Sequence, residues 1–132
     1  MSRRRLIVGA GALGALLAAQ WRAAGVPAVL IARGAALEVI RERGVTVRRP
    51  HGDEAVPVDV VGAIDETEPA VGDSVVLAVK AQDAEQALAA IAWRPLAGGG
   101  AVADLPVVTL QNGLSAEAVA TRFPRLADAG GQ

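Results

Sequence analysis

The chain has 132 residues, a formal net charge of −1, a single histidine and no cysteine. That length suits one domain able to withdraw about two thirds of its unfolded surface from water, and the near-neutral charge excludes a broad attraction to nucleic acid or to anionic membrane lipid. The lack of cysteine excludes disulfides, thiol nucleophiles and thiolate metal sites, makes a cytoplasmic setting the default expectation, and leaves His51, in a polar turn, expected to face solvent rather than hold a metal.

The triplet Arg3-Arg4-Arg5 is expected to be a solubilising tail. The apolar run after it, Leu6 to Ala19, is too short to span a bilayer and carries glycines at fixed spacing, so it is read as folded structure rather than as a signal peptide. Within it Leu6-Ile7-Val8 forms a short strand that runs into Gly9-Ala10-Gly11-Ala12-Leu13-Gly14. A helix follows from Ala12 to about Ala24 and stops at Gly25, with Leu13, Leu16, Leu17 and Trp21 as its candidate buried face. Pro27 to Ala32 reads as the second strand, the missing N–H of proline being tolerated at a strand start. A second helix is expected over Ala36 to Arg43, capped by Gly44. Two β segments, Val45 to Arg48 and Ala55 to Val61, then flank the turn Pro50-His51-Gly52-Asp53.

Beyond Asp73, the uniformly apolar run Ser74 to Val79 has the character of a strand buried on both faces of a parallel sheet. A third helix is expected from about Ala84 to Trp93, then a Gly98-Gly99-Gly100 loop. Val107 to Leu110 gives another buried strand, Gln111-Asn112-Gly113 a turn and Ala116 to Phe123 a last helix. Strands alternating with helices imply an α/β domain over residues 1–125, a Rossmann-like, doubly wound, mostly parallel sheet with helices on both faces. The β excursion at about 45–61 interrupts the alternation, and residues 126–132 are expected to be a disordered tail.

The glycine turn carries the clearest chemistry. Gly9 permits a tight turn, Gly11 removes a side chain where a phosphate must approach the backbone, and Gly14 lets the helix pack closely on the strand. Amide N–H groups and the positive end of the helix dipole then face a pyrophosphate, with Ala10, Ala12 and Leu13 completing the turn. Ligands of such sheets bind at the carboxyl ends of the strands. Arg33 lies 19 positions beyond Gly14, where an NAD enzyme commonly has an acid for the ribose hydroxyls. A guanidinium there suits a 2′-phosphate and points to NADPH; the alternative is a surface arginine at a strand end. Lys80 is the only lysine among 13 basic residues, and Asn112 the only asparagine. Both follow buried strands and are candidate ligands, the alternatives being a solvated strand end and an ordinary Asn-Gly turn. Gln82, Asp83 and Gln111 are secondary candidates, Asp83 equally suited to capping a helix.

Gly9 to Gly14, Ala32-Arg33-Gly34, Asp73 to Ala81 and Thr109-Leu110-Gln111-Asn112-Gly113-Leu114 together resemble, in order and spacing, the N-terminal half of the 2-dehydropantoate 2-reductase (ketopantoate reductase) family. The resemblance covers residues 5 to about 123 and implies a Rossmann domain binding NADPH through the glycine turn, Arg33, Lys80 and Asn112. Lys80 and Asn112 would face the ribose and nicotinamide end. It also implies reduction of a ketoacid in pantothenate biosynthesis, with the catalytic lysine on a helical C-terminal domain that this chain lacks. Accordingly no catalytic residue and no metal ligand is expected here, and the chain alone is not expected to be catalytically competent. A ketoacid substrate is expected only if a second domain completes the site, and association through an exposed sheet edge is the expected route to a homo-oligomer. Residues around Gly98 to Asp104 and Ser115 depart from the family pattern. A free-standing NADP-binding module or sensor is the alternative, and a degenerate remnant with a structural use a third reading.

Overall fold

In the computed structural model, residues 3–109 are described, Ala81 and Gln82 by their backbone alone. Arg5–Val8 forms β1, and three residues later Ala12–Ala23 forms helix α1, which delivers the chain to β2, Ala28–Ile31. Helix α2, Gly34–Arg43, leads into an antiparallel hairpin of β3, Val45–Arg49, and β4, Gly52–Val56. The short β5, Val60–Val61, returns to the main sheet beside β2. A 3-10 turn at Ile64–Thr67 precedes β6, Ser74–Leu77, which is followed by helix α3, Ala81–Ile91, and by β7, Val107–Thr109.

The five-stranded sheet has the order β5-β2-β1-β6-β7, and every pairing in it is parallel. Successive strands run outward from β1 toward β5 on one side and from β6 toward β7 on the other. The reversal therefore falls between β1 and β6, the place where an open α/β sheet leaves a crevice at its carboxyl edge. This is the expected Rossmann-like architecture.

Register explains why these strands are apolar throughout. Ile7 stands opposite Leu30 and Val76, while Leu6 stands opposite Val29 and Val75. Because neighbours along a strand face opposite sides, each row serves a different layer. The Ile7 row packs under Leu17, Ala18 and Trp21 of α1. The Leu6 row packs against Ile64, Leu96, Val102 and Leu105, with Ala84, Leu88 and Ile91 of α3 joining from the edge. Helices thus cover both faces. Trp21 is a core residue, as its position in α1 implies, and His51 is exposed in the hairpin turn.

Several sequence expectations need correction. The stretch Ala55 to Val61 is not one segment but parts of two strands in two sheets. Pro57 has no N–H to donate to a ladder, and the chain leaves the hairpin there. It joins the main sheet where Leu30 N–H donates to Asp59 O at 2.8 Å. Helix α2 begins at Gly34 rather than Ala36, and α3 spans Ala81–Ile91 rather than Ala84 to Trp93. Asp83 accordingly lies inside the first turn of α3, and Lys80 is the capping residue. β6 ends at Leu77, two residues earlier than expected. After the Gly98-Gly99-Gly100 loop, where the sequence suggested no element, Val102–Asp104 forms a 3-10 turn with Val102 fully buried. The expected last turn and last helix, Gln111 to Phe123, lie outside the described residues.

The arginine triplet is not a tail. Arg5 belongs to β1, is 2% exposed, and lies 5.8 Å from the Trp21 ring centroid. Arg4 pairs with Asp73, whose side chain is wholly buried, through Nη2–Oδ2 at 3.0 Å. The same carboxylate accepts from the backbone N–H groups of Arg4 and Ala70, each at 3.0 Å. Since β1 and β6 both start here, this carboxylate ties the amino ends of the two central strands together. Composition could not reveal it, because the partner is 69 residues away.

Candidate dinucleotide-binding cleft

The carboxyl ends of β1, β2, β5 and β6 open into a cleft of about 920 Å³. Its floor is the glycine turn, and each glycine there has a distinct physical reason. Gly9 has φ +111°, and a β-carbon on it would lie 2.6 Å from Ala78 O. A β-carbon on Gly14 would lie 2.1 Å from Gly9 O and 3.0 Å from the Ala78 β-carbon, so the helix can approach the strand only without a side chain. Gly11 differs from both, because a β-carbon there would meet no protein atom within 4 Å. Protein packing therefore explains Gly9 and Gly14, and leaves the space over Gly11 open to a ligand.

Gly11 caps α1 without any side-chain hydrogen bond to the first amides of the helix. Gly9, Ala10 and Gly11 line the cleft, whereas Gly14 is buried behind it, supporting the turn, and Ala12 and Leu13 open the helix. Unfilled N–H groups at the positive end of a helix dipole suit an anion, and the open space over Gly11 lets a pyrophosphate reach them. The donor set fits a dinucleotide's central phosphates.

Arg33 follows β2, lines the cleft and is exposed. Gly34, at φ +57°, turns the backbone directly after it into α2. Arg33 has no ion-pair partner among the described residues, in contrast to Arg94, whose Nη1 lies 2.6 Å from Asp65 Oδ2. Lys80 is exposed at the start of α3 but does not line the cleft among the described residues. Asp83 does line it. The Gln82 side chain, Gln111 and Asn112 lie outside what the structure describes. The structure therefore brings the glycine turn and Arg33 together and leaves Lys80 at a neighbouring strand end.

Two walls of the cleft escaped the sequence reading. One is Gly62 to Asp65, directly after β5; the other is the side of α3 beyond Asp83, with Gln86 and Ala90, together with Arg94 after the helix. The rule that ligands bind beyond strand carboxyl ends would have found the first wall, had β5 been separated from the hairpin. Arg94 and Asp65 are 35% and 49% exposed, and a pair that open to water contributes at most about 1 kcal/mol to stability. Among the described residues no group of His, Asp and Glu could hold a metal ion, and no helix is long and apolar enough to cross a membrane.

Comparison with known proteins places this geometry. A search of curated proteins finds no match. Among solved structures, a 2-dehydropantoate 2-reductase from Geobacter metallireducens GS-15 is 34% identical over 91% of this chain, at a TM-score of 0.61. A Ralstonia solanacearum MolK2 protein assigned to the ketopantoate reductases is 32% identical over 86% of the chain, at 0.65. A D-mandelate dehydrogenase in a ternary structure with NADH and anilino(oxo)acetate is 25% identical over 91%, at 0.63. The chain covers 38%, 33% and 37% of those three proteins respectively, so it spans little more than a third of their length. The model of the ketopantoate reductase PanE/ApbA family matches residues 6–129. The chain belongs to the ketopantoate reductase family.

Proposed function

We propose that this chain binds NADPH and is the cofactor half of an oxidoreductase that reduces the ketone of 2-dehydropantoate to pantoate, in cytoplasmic pantothenate biosynthesis. Members of the family are oxidoreductases, and the observation that carries the cofactor reading is the cleft itself. It joins an anion-accepting glycine turn to Arg33, an exposed guanidinium without a protein partner among the described residues. NADPH, when bound, supplies a hydride. This chain's residues do the holding: the amides of Gly11 to Leu13 take the pyrophosphate, and Arg33 forks onto the 2′-phosphate.

We assign no catalytic residue in residues 1–132. Lys80 and Asn112 are proposed to hold the nicotinamide end, Lys80 because it is exposed where β6 passes into α3. The ketone would meet its proton donor on a further part of the enzyme. Mixing the chain with NADPH and 2-dehydropantoate and following nicotinamide absorbance is expected to give no turnover; the rate of an ordinary dehydrogenase would overturn that assignment.

Arg33 decides between the phosphorylated and unphosphorylated cofactor. Arg33→Ala is expected to weaken NADPH binding by about 10- to 50-fold, the size of a lost charge-assisted bidentate contact. NADH binding should change by less than about 3-fold. Calorimetric titration of both cofactors checks this. Equal affinity of the unaltered chain for NADH and NADPH would contradict the role given to Arg33.

A further inference from the structure

Gly62, Ala63, Ile64 and Asp65 line the cleft directly after β5, whereas Glu66 does not. Its exposed side chain instead reaches back four residues, where Oε2 accepts from Gly62 N–H at 3.1 Å. The need for this contact follows from the sheet. Among the described residues β5 is the last strand on its side, and it takes the amides of Leu30 and Ala32 on Asp59 O and Val61 O at 2.8 and 2.9 Å. Past Val61 that ladder stops, and the next amide finds a carboxylate in place of a strand.

The glycine makes room for it. A β-carbon on Gly62 would lie 3.3 Å from Glu66 Oε2 and 3.2 Å from Leu37 Cδ2 of α2, so a side chain would press on both. The later part of the wall is fixed by other bonds: Glu66 N–H donates to Ala63 O at 3.1 Å, and Thr67 Oγ1 donates to Ile64 O at 2.6 Å. Ile64 is itself buried beneath the sheet. The Glu66 carboxylate thus ties down the first residue of the wall, next to Arg33. The two are neighbours because Gly62 and Arg33 each follow one member of the bonded couple Val61 and Ala32.

We propose that Glu66 is a positioning residue for cofactor binding, holding the start of the Gly62–Asp65 wall in its cleft-facing conformation by accepting from Gly62 N–H. This inference rests on the NADPH reading. A wall already ordered in the free chain need not be ordered at the moment of binding, and the ordering cost avoided is gained as affinity. The contact depends on reach and on an acceptor oxygen, not on negative charge.

Three substitutions separate those properties: Glu66→Gln keeps reach and acceptor without the charge, Glu66→Asp keeps the charge but is one methylene short, and Glu66→Ala keeps neither. Calorimetric titration is expected to show NADPH binding about 3- to 10-fold weaker in the Asp and Ala variants, the size of one lost hydrogen bond. The Gln variant should bind at least as tightly as the original to within about 2-fold. Amide hydrogen exchange in the chain without cofactor gives a second readout. Gly62 N–H should exchange several-fold faster in the Asp and Ala variants and at nearly the original rate in the Gln variant. Loss of affinity in the Gln variant equal to that in Ala would overturn the proposal, as would undiminished binding in Asp or Ala. Tighter binding in both neutral variants would show a carboxylate acting only by repelling the anionic cofactor, and that also overturns it. So does an exchange rate at Gly62 that no substitution alters, a result that leaves the NADPH reading standing. Failure of the unaltered chain to bind NADPH would overturn the cofactor reading, and this inference with it.

Discussion

Gly14→Ala is expected to destabilise the chain by about 3 kcal/mol or more, whereas Gly11→Ala should leave stability within about 1 kcal/mol of the original and still weaken NADPH binding more than about tenfold. The two glycines stand three positions apart in one motif, yet they answer to different neighbours. A methyl group on Gly14 would sit 2.1 Å from Gly9 O, and that oxygen belongs to backbone that cannot rotate away. Helix α1 would have to lift off β1, opening the layer that packs Leu17 and Trp21 on Ile7. Native domains are stable by only about 5–15 kcal/mol, so the loss is a large share of the total. At Gly11 the backbone is ordinary, φ −67° and ψ −179°, and a β-carbon meets nothing within 4 Å. Alanine is a poorer helix cap by a few tenths of a kcal/mol or somewhat more, and it recovers about 0.4–1 kcal/mol by restricting the unfolded chain. These terms nearly cancel. What changes is the space over the helix amides, which the methyl group would fill. Urea denaturation followed by NADPH titration separates the two effects. An unchanged urea midpoint for Gly14→Ala would refute the close-approach account, and unchanged binding by Gly11→Ala would show that the phosphates lie elsewhere.

The parts of this molecule legible in the sequence are those fixed by local rules. The glycine turn could be read because its requirements fall within six consecutive residues, and the central strands because burial on both faces demands unbroken apolar runs. The place of Arg33 beside the cleft was legible through its distance from Gly14, a consequence of the βαβ unit lying between them. What stayed hidden depends on pairing across distance. β5 has two residues and is a strand only because Leu30 and Ile31 pair with it. Nothing local separates it from the hairpin except Pro57. The wall of the cleft formed by Asp65 and Arg94 is assembled over a separation of 29 residues. The burial of Arg5 and the Arg4–Asp73 pair likewise exist only once β1 and β6 lie side by side. A run of three arginines looks like a solvated tail until a buried carboxylate 69 residues away is brought to it.

That carboxylate gives the second large effect, on the opposite edge of the sheet from the cleft. Asp73→Ala is expected to cost about 3 kcal/mol, the size associated with breaking a buried, charge-assisted network. Asp73 Oδ1 accepts from Arg4 N–H, while Oδ2 accepts from both Arg4 Nη2 and Ala70 N–H. Both oxygens therefore face donors. Asparagine can satisfy one side only, because its NH₂ group would point at donors in either orientation. Asp73→Asn should then be nearly as damaging as Asp73→Ala, although it preserves size and shape. Arg4→Met should cost less, about 1–2 kcal/mol, since Arg4 is partly exposed and both backbone donors to the carboxylate remain. Urea denaturation of the three variants tests this order, and an Asp73→Asn protein as stable as the original would show that the carboxylate's second acceptor is dispensable. The same variants, titrated with NADPH under conditions where they remain folded, should bind it with unaltered affinity. Asp73 sits where β6 begins, whereas the cofactor is proposed to lie where β1, β2, β5 and β6 end. One strand length separates the residue that fastens the sheet from the edge where the cofactor is proposed to lie.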